Sequence, residues 1–136
     1  MRYPCIRLSL LILPTMFVGC NGVNDGRHAI KGRVLFQGKP LDQGLIEFHP
    51  VNGPPGPAAG SMIKNGRFTI PHDQGLTDGL YKVVIRSAKP VALYTLPPTA
   101  SAKERERIAD QYNNHTVLMV QVTPGSGTCS FDFEVD

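Results

Sequence analysis

The stretch Ser61-Met-Ile-Lys-Asn-Gly-Arg-Phe-Thr-Ile70 decides the fold class of this chain. Asn65-Gly66 is a preferred pair for a two-residue hairpin turn, because both residues tolerate a positive φ angle. The segments on either side of this pair predict strands, and Phe68 and Ile70 share the inward face of the second one. The stretch therefore predicts a β-hairpin with one apolar face.

The same alternation of apolar and polar residues recurs along most of the chain. It predicts strands, separated by turns rich in Gly, Pro and Asn, over 28–37, 45–49, 61–64, 67–70, 80–87, 116–122 and 128–135. About seven short strands at regular spacing are typical of an antiparallel β-sandwich. The chain is therefore predicted to be all-β.

The segment 88–115 interrupts this rhythm. Prolines exclude regular structure at its start, whereas Ser101-Ala-Lys-Glu104 has the pattern of a helix capping box. A short, charged helix is predicted over Lys103–Gln111, with Ile108 as its main apolar anchor. This helix would be an insertion between the fifth and sixth strands.

The insertion is also the best candidate for a binding element, because long loops in compact domains often carry function. It combines two apolar side chains with a basic cluster, and the candidate partner-binding residues are Tyr94, Leu96, Lys103, Arg105 and Arg107. In the alternative interpretation, Tyr94, Leu96 and Ile108 fold down and only cover an open end of the sandwich.

The first twenty residues resemble a bacterial lipoprotein secretion signal. Arg2 and Arg7 frame the start of a short apolar run, and Phe17-Val-Gly-Cys20 resembles a lipobox. The run is too short for a stable transmembrane helix, which needs about 20 apolar residues. The resemblance implies cleavage before Cys20 and lipid attachment to this cysteine. The alternatives are an uncleaved signal anchor, or simple secretion with cleavage nearby.

The predicted domain organisation follows from this signal. A signal peptide occupies 1–19, a lipidated tether 20–27 and a β-sandwich domain 28–136. The exported protein would be anchored to the membrane through its lipid. Asn21 follows the lipidated cysteine, and the sorting rules of Gram-negative lipoproteins then favour the outer over the inner membrane.

Charge and cysteine usage narrow the function classes. The chain has a formal net charge of +3 and no basic stripe with interleaved aromatic residues, so no nucleic-acid partner is expected. Cys5 lies in the predicted signal and Cys20 would carry lipid, which leaves Cys129 without an intramolecular disulfide partner. Cys129 is in phase with Phe131 and Val135, and it is predicted to be a small buried hydrophobe.

Several short motifs occur in order along the mature chain: Ile30-Lys-Gly-Arg-Val34, Gly38-Lys-Pro-Leu41, Gly44-Leu-Ile-Glu-Phe-His-Pro50, Asn65-Gly-Arg-Phe68, Asp78-Gly-Leu-Tyr81-Lys-Val83 and Ile108-Ala-Asp-Gln-Tyr-Asn113. Together they resemble the carboxypeptidase regulatory-like domains of small bacterial lipoproteins, a transthyretin-like group of β-sandwiches. The resemblance covers about 28–135. It implies the fold and a non-catalytic accessory role, but no particular ligand. Tyr81 is expected to bury its ring while its hydroxyl finds a partner at the sandwich edge.

No catalytic residues, metal site or cofactor are expected. The four histidines lack metal-ligand spacing and are predicted to be solvated at strand ends or in loops: His28, His49, His72 and His115. Asp73 and Asp78 are interpreted as an ordinary acidic turn, since no loop dense enough in Asp for calcium is present. The tail and histidine motifs of the related hydroxyisourate hydrolases and intradiol dioxygenases are also missing.

The sequence therefore predicts a non-catalytic, lipid-anchored cell-envelope protein that binds a protein or glycan through loops at one end. A structural, self-associating envelope component that uses an unpaired sheet edge is the first alternative. A hydroxyisourate-hydrolase-like enzyme is the second.

Overall fold

The computed structural model describes residues 25–54, 57–90, 97–125 and 127–136. In these ranges the strands are β1 (Arg27–Phe36), β2 (Lys39–Pro40), β3 (Gln43–Pro50), β4 (Ala59–Lys64), β5 (Arg67–Ile70), β6 (Leu76–Thr77), β7 (Gly79–Arg86), β8 (Met119–Val122) and β9 (Thr128–Val135). One α-helix, α1 (Ala102–Arg105), and two 3-10 turns, His72–Gln74 and Asp110–Tyr112, accompany them. The all-β prediction is confirmed, and the seven longer strands are the predicted ones.

The strands form one curled sheet whose two halves face each other as in a sandwich. One half has the order β4-β3-β7-β8, and the other consists of β5, β1 and β9 with β2 and β6 at the ends of β1. Strands β4 and β5 pair only through Lys64 and Arg67. Asn65 and Gly66 have φ angles of 51° and 72°, as the hairpin prediction requires. The hairpin therefore opens directly from its turn and forms a corner between the two halves.

Strand β1 is the centre of its half. It pairs antiparallel with β5 and parallel with β9, so β9 is the exception to the predicted antiparallel pairing. Gly32 lies opposite Phe131 of β9, and a Cβ atom there would overlap the carbonyl oxygen of Phe131. A glycine is thus required for the backbones of these two strands to approach each other.

The hydrophobic core lies between the two halves of the sheet. Phe48 of β3 contacts Phe68 of β5 and Phe131 of β9, with ring centroids 6.2 and 6.5 Å apart. Such tilted aromatic pairs add to the stabilisation that burial provides. Cys129 belongs to this core as a free cysteine, which confirms its prediction as a small buried hydrophobe.

Tyr81 behaves as expected at the start of β7. Its ring is buried, and its hydroxyl donates to the carbonyl oxygen of Thr77 at 2.9 Å. The phenol thereby keeps a hydrogen-bond partner at the sheet edge while its ring fills the core.

The helix predicted over Lys103–Gln111 is wrong in extent, because α1 has only four residues. It begins at the predicted capping box, where the N–H of Ser101 donates to the Glu104 carboxylate at 2.6 Å. It ends because Glu106 takes an extended conformation and forms a β-bridge with Ala88.

In the described ranges no helix has the length and apolar character needed to cross a membrane.

The two ends of the sandwich differ. The chain enters β1 at Arg27, beside β6, and we call this the tether end. The hairpin turn at Asn65-Gly66 marks the opposite end, where β7 finishes at Arg86 and the segment 88–115 is inserted. We call this the insertion end.

Replacing Gly32 with Ala is expected to lower the free energy of unfolding by about 3 kcal/mol, because the obstacle to the new methyl group is backbone. Urea denaturation of the purified protein measures this loss. Lys31→Ala, at the exposed neighbouring position, is the control and should change stability by less than about 0.5 kcal/mol. Equal unfolding midpoints for the two variants would show that β9 does not pack on β1 as described.

Candidate functional site

The insertion is fixed to the end of β7 by backbone hydrogen bonds. The N–H of Lys89 donates to the carbonyl oxygen of Arg105 at 2.7 Å, and the N–H of Arg107 donates to that of Ser87 at 3.0 Å. These bonds place Arg105, at the end of α1, and Arg107 beside the residues that follow β7. The residues after α1 therefore continue the structure of the sandwich.

Glu106 reinforces this attachment with its side chain. Its Oε1 accepts hydrogen bonds from three backbone N–H groups, at 2.8 Å from Ser87, 3.1 Å from Arg107 and 3.0 Å from Ile108. A hydrogen bond to a charged group contributes about 1.5–3 kcal/mol. One carboxylate thus holds the segment after α1 against the end of β7.

Arg107, a predicted partner-binding residue, is largely turned toward the sandwich, and its side chain is only 15 % exposed. Its guanidinium donates to Ser87 Oγ at 2.9 Å and to the Asp42 carboxylate. It also lies 5.4 Å from the centre of the Phe36 ring. The hydrogen bond from Arg107 holds the pKa of Asp42 below its usual value. Arg107 therefore has an internal structural role, and a role in binding stays a prediction.

Other residues of the insertion cover the insertion end. Ile108 and Asn113 are buried, and Asn113 Nδ2 donates to the carbonyl oxygen of Ile108 at 3.0 Å. Tyr112 is half-buried and packs against the core. Ile108 thus has the covering role of the alternative interpretation. Tyr94 and Leu96 lie outside the described residues.

A groove of about 490 Å³ lies between α1 and the outer face of β3 and β4. We call it the insertion groove, and its lining residues come from β3, β4, β7 and the insertion: Gln43, Gly44, Leu45, Met62, Arg86, Ser87, Ala88, Ala102, Arg105 and Glu106. Met62 is 58 % exposed, although it is a large apolar side chain. Its cross-strand neighbour on the same face is Leu45. The groove therefore has an apolar floor that is open to solvent.

Two arginines line this apolar floor. Arg86 donates one hydrogen bond to Asn114 Oδ1 at 3.0 Å, and Arg105 donates one to the carbonyl oxygen of Pro98 at 2.6 Å. Neither guanidinium forms an ion pair within the described residues. Each guanidinium has five N–H donors, so most of them have no hydrogen-bond partner among the described residues. Lys103 lines an adjoining cavity of about 170 Å³. Of the predicted residues, Arg105 therefore lines the groove, whereas Lys103 lines only the adjoining cavity.

The prediction of solvated histidines is wrong for His28, which is 7 % exposed. Its Nε2 lies 2.7 Å from the Asp78 carboxylate. Asp78 of the predicted acidic turn therefore contacts a buried histidine. The alternation of β1 places His28 in phase with Ile30 on the inward face. The alternation in the sequence could have predicted this burial, because His28 lies two residues before the inward residue Ile30.

Two further predictions concern the lipid attachment site and metal binding. Cys20, the predicted lipid attachment site, lies outside the described residues. In the ranges that are described, no three or more His, Cys, Asp or Glu side chains form a group that could hold a metal ion.

No protein-family model matches the chain, and searches of curated proteins and of solved structures find no significant match. The resemblance to carboxypeptidase regulatory-like domains therefore stays a prediction.

Replacing Glu106 with Ala is expected to lower the free energy of unfolding by about 2 kcal/mol or more, because three backbone N–H groups lose their acceptor. Hydrogen exchange at the Ile108 amide should accelerate as well. Glu106→Gln keeps one acceptor oxygen and should lower the stability less. Glu134→Ala, at an exposed position of β9, is the control. Equal exchange at Ile108 in the Glu106→Ala and Glu134→Ala variants would refute the attachment by this carboxylate.

The Asp42–Arg107 pair predicts a pH dependence of stability. The pKa of Asp42 is lower in the folded chain than in the unfolded chain. The pair therefore stabilises the fold above about pH 4, and this contribution is lost as the pH falls through the lowered pKa. Asp42→Asn should lower the urea midpoint at pH 7 and reduce its fall toward pH 2. An unchanged pH profile in the Asp42→Asn variant would contradict the pairing.

Proposed function

We propose that this protein is a non-catalytic, lipid-anchored module of the bacterial cell envelope that binds a partner through the insertion groove. The supporting observation is an open apolar floor, formed by Leu45 and Met62, beside two arginines without carboxylate partners in the described residues. Binding sites are typically concave and mostly apolar, with a few placed polar groups. The groove has these properties.

The attachment of the insertion supports binding rather than mere covering. Glu106 and Arg107 fix the wall of the groove before any partner arrives. A preformed site loses less conformational entropy on association, and more of the contact energy then appears as affinity.

The direction of the strands is consistent with this role. The predicted lipid on Cys20 precedes β1 by only a few residues, so the membrane would lie beside the tether end. The groove lies at the opposite end, beyond the ten-residue strand β1. At about 3.3 Å per residue, that strand separates the two ends by about 33 Å. The groove would therefore lie at the end of the sandwich that is remote from the lipid surface.

A self-associating component remains the second candidate, because β8 and β9 each pair with a single strand among those described. Strand β9 carries Asp132 and Glu134 on its exposed positions. Charges of this kind on an edge strand disfavour pairing with another chain. Assembly through β9 is therefore disfavoured, and a self-associating protein would use the edge of β8, which has no charged residue and exposes Met119.

The anchor is tested with Cys20→Ser in the full-length chain. The variant should leave the membrane fraction and lose metabolic labelling with a radioactive fatty acid, because no sulfur remains to carry lipid. Cys5→Ser, within the predicted signal, is the control and should keep both properties. Membrane association and labelling that survive in the Cys20→Ser variant would rule out this anchor.

The groove is tested by placing a photo-crosslinking amino acid at Met62 in living cells. One discrete adduct is expected, because this side chain is exposed on the groove floor. The same amino acid at Thr69, exposed on β5 in the other half, should give no such adduct. A ladder of self-adducts would favour assembly, and no adduct at Met62 in a folded, membrane-bound protein would refute the proposal.

A further inference from the structure

The surroundings of the insertion groove are basic. Arg86 and Arg105 line it, and Lys64 lies on the same outward face of β4 as Met62, opposite the lining residue Gln43. Lys89 lies beside α1, where its N–H bonds the backbone of Arg105. None of these four cations forms an ion pair within the described residues. The described lining of the groove has two arginines and one carboxylate, Glu106, so its net charge is positive.

The nearby carboxylates are engaged within the insertion. Glu106 accepts three backbone N–H groups, and Glu104 closes the capping box with Ser101. Asp110 lies against the ring of His115 and accepts from an asparagine amide. These acids have local hydrogen-bond partners. Glu104 also interacts electrostatically with Arg105, and Glu47 lies two residues from Leu45 on the same outward face of β3. Neither groove arginine, however, forms an ion pair with a carboxylate of the described residues.

The floor and the arginines together define the chemistry that fits. A carboxylate binds a guanidinium through two parallel hydrogen bonds, and this geometry suits arginine better than lysine. The described lining contains no aromatic ring, but Leu45 and Met62 offer an aliphatic surface to an apolar side chain. An acidic polypeptide supplies carboxylates and apolar side chains within a few residues of each other. A neutral glycan supplies neither.

We infer that the insertion groove binds an acidic polypeptide segment of the partner. Its carboxylates meet Arg86 and Arg105, and a neighbouring apolar side chain rests on Leu45 and Met62. This inference rests on the proposed function and specifies the partner of that same site.

The test uses the Met62 photo-crosslinker in the full-length chain, combined with Arg86→Gln and Arg105→Gln. The double substitution keeps the apolar stems and removes the charges, so the adduct should fall at least tenfold. Lys31→Gln with Arg67→Gln, exposed on the other half, is the matched control and should leave the adduct unchanged. Mass spectrometry of the adduct should map the crosslink to a partner segment with net negative charge and adjacent apolar residues.

A second pair of variants distinguishes a loss of charge from a loss of folding. Arg86→Lys with Arg105→Lys keeps the charges, and it should retain more of the adduct than the glutamine pair does. Hydrogen exchange at Ile108 should be the same in both, because neither arginine side chain bonds this residue. If the adduct falls equally in the lysine and glutamine pairs, charge recognition is refuted.

The outcomes separate the two proposals. An adduct that survives the glutamine pair overturns the acidic segment and leaves the groove as a binding site. An adduct that maps to a glycan, to a neutral or basic polypeptide, or to a second copy of this chain has the same consequence. A missing adduct at Met62 in the unsubstituted protein overturns the proposed function itself.

Discussion

The Glu106 carboxylate is the interaction on which the insertion end depends. Backbone N–H groups that leave water require acceptors, and this one oxygen serves three of them. The attachment also separates two arginines that are close in sequence. Arg107 lies against Phe36 and supports the fold, whereas Arg105 lines the groove and is available to a partner. Without Glu106, the groove would lose its fixed wall.

The sandwich supplies the other wall, and its rigidity has a separate origin. The close approach of β1 and β9 at Gly32 holds one half together, while the aromatic contacts of Phe48 join it to the other half. The outer faces of β3 and β4 then form a firm floor. In the proposed function, folding and binding use opposite faces of the same strands, because inward residues build the core and outward ones would contact the partner.

Much of the fold was predictable because its signals are local. The Asn65-Gly66 turn, the Ser101 capping box and the inward phase of Cys129 are each visible in a few consecutive residues. Other features depend on contacts between residues that are distant in sequence. These features are the early end of α1, the packing of the Arg107 side chain against the sandwich and the parallel pairing of β9. The groove was unpredictable for the same reason, since its floor and wall come from separate parts of the chain. Of its lining residues, only Arg105 was among the predicted binding residues.

The most direct measurement of the central claim couples the attachment to binding. The Met62 photo-crosslinker is placed in full-length Glu106→Ala and Glu106→Gln chains, and the adduct is compared while hydrogen exchange follows the insertion. If this carboxylate holds the groove in place, the Glu106→Ala chain loses the adduct and its hydrogen exchange at Ile108 becomes faster. The Glu106→Gln chain retains more of the adduct and more of the protection from exchange at Ile108. An undiminished adduct in a Glu106→Ala chain with a loosened insertion would contradict the account.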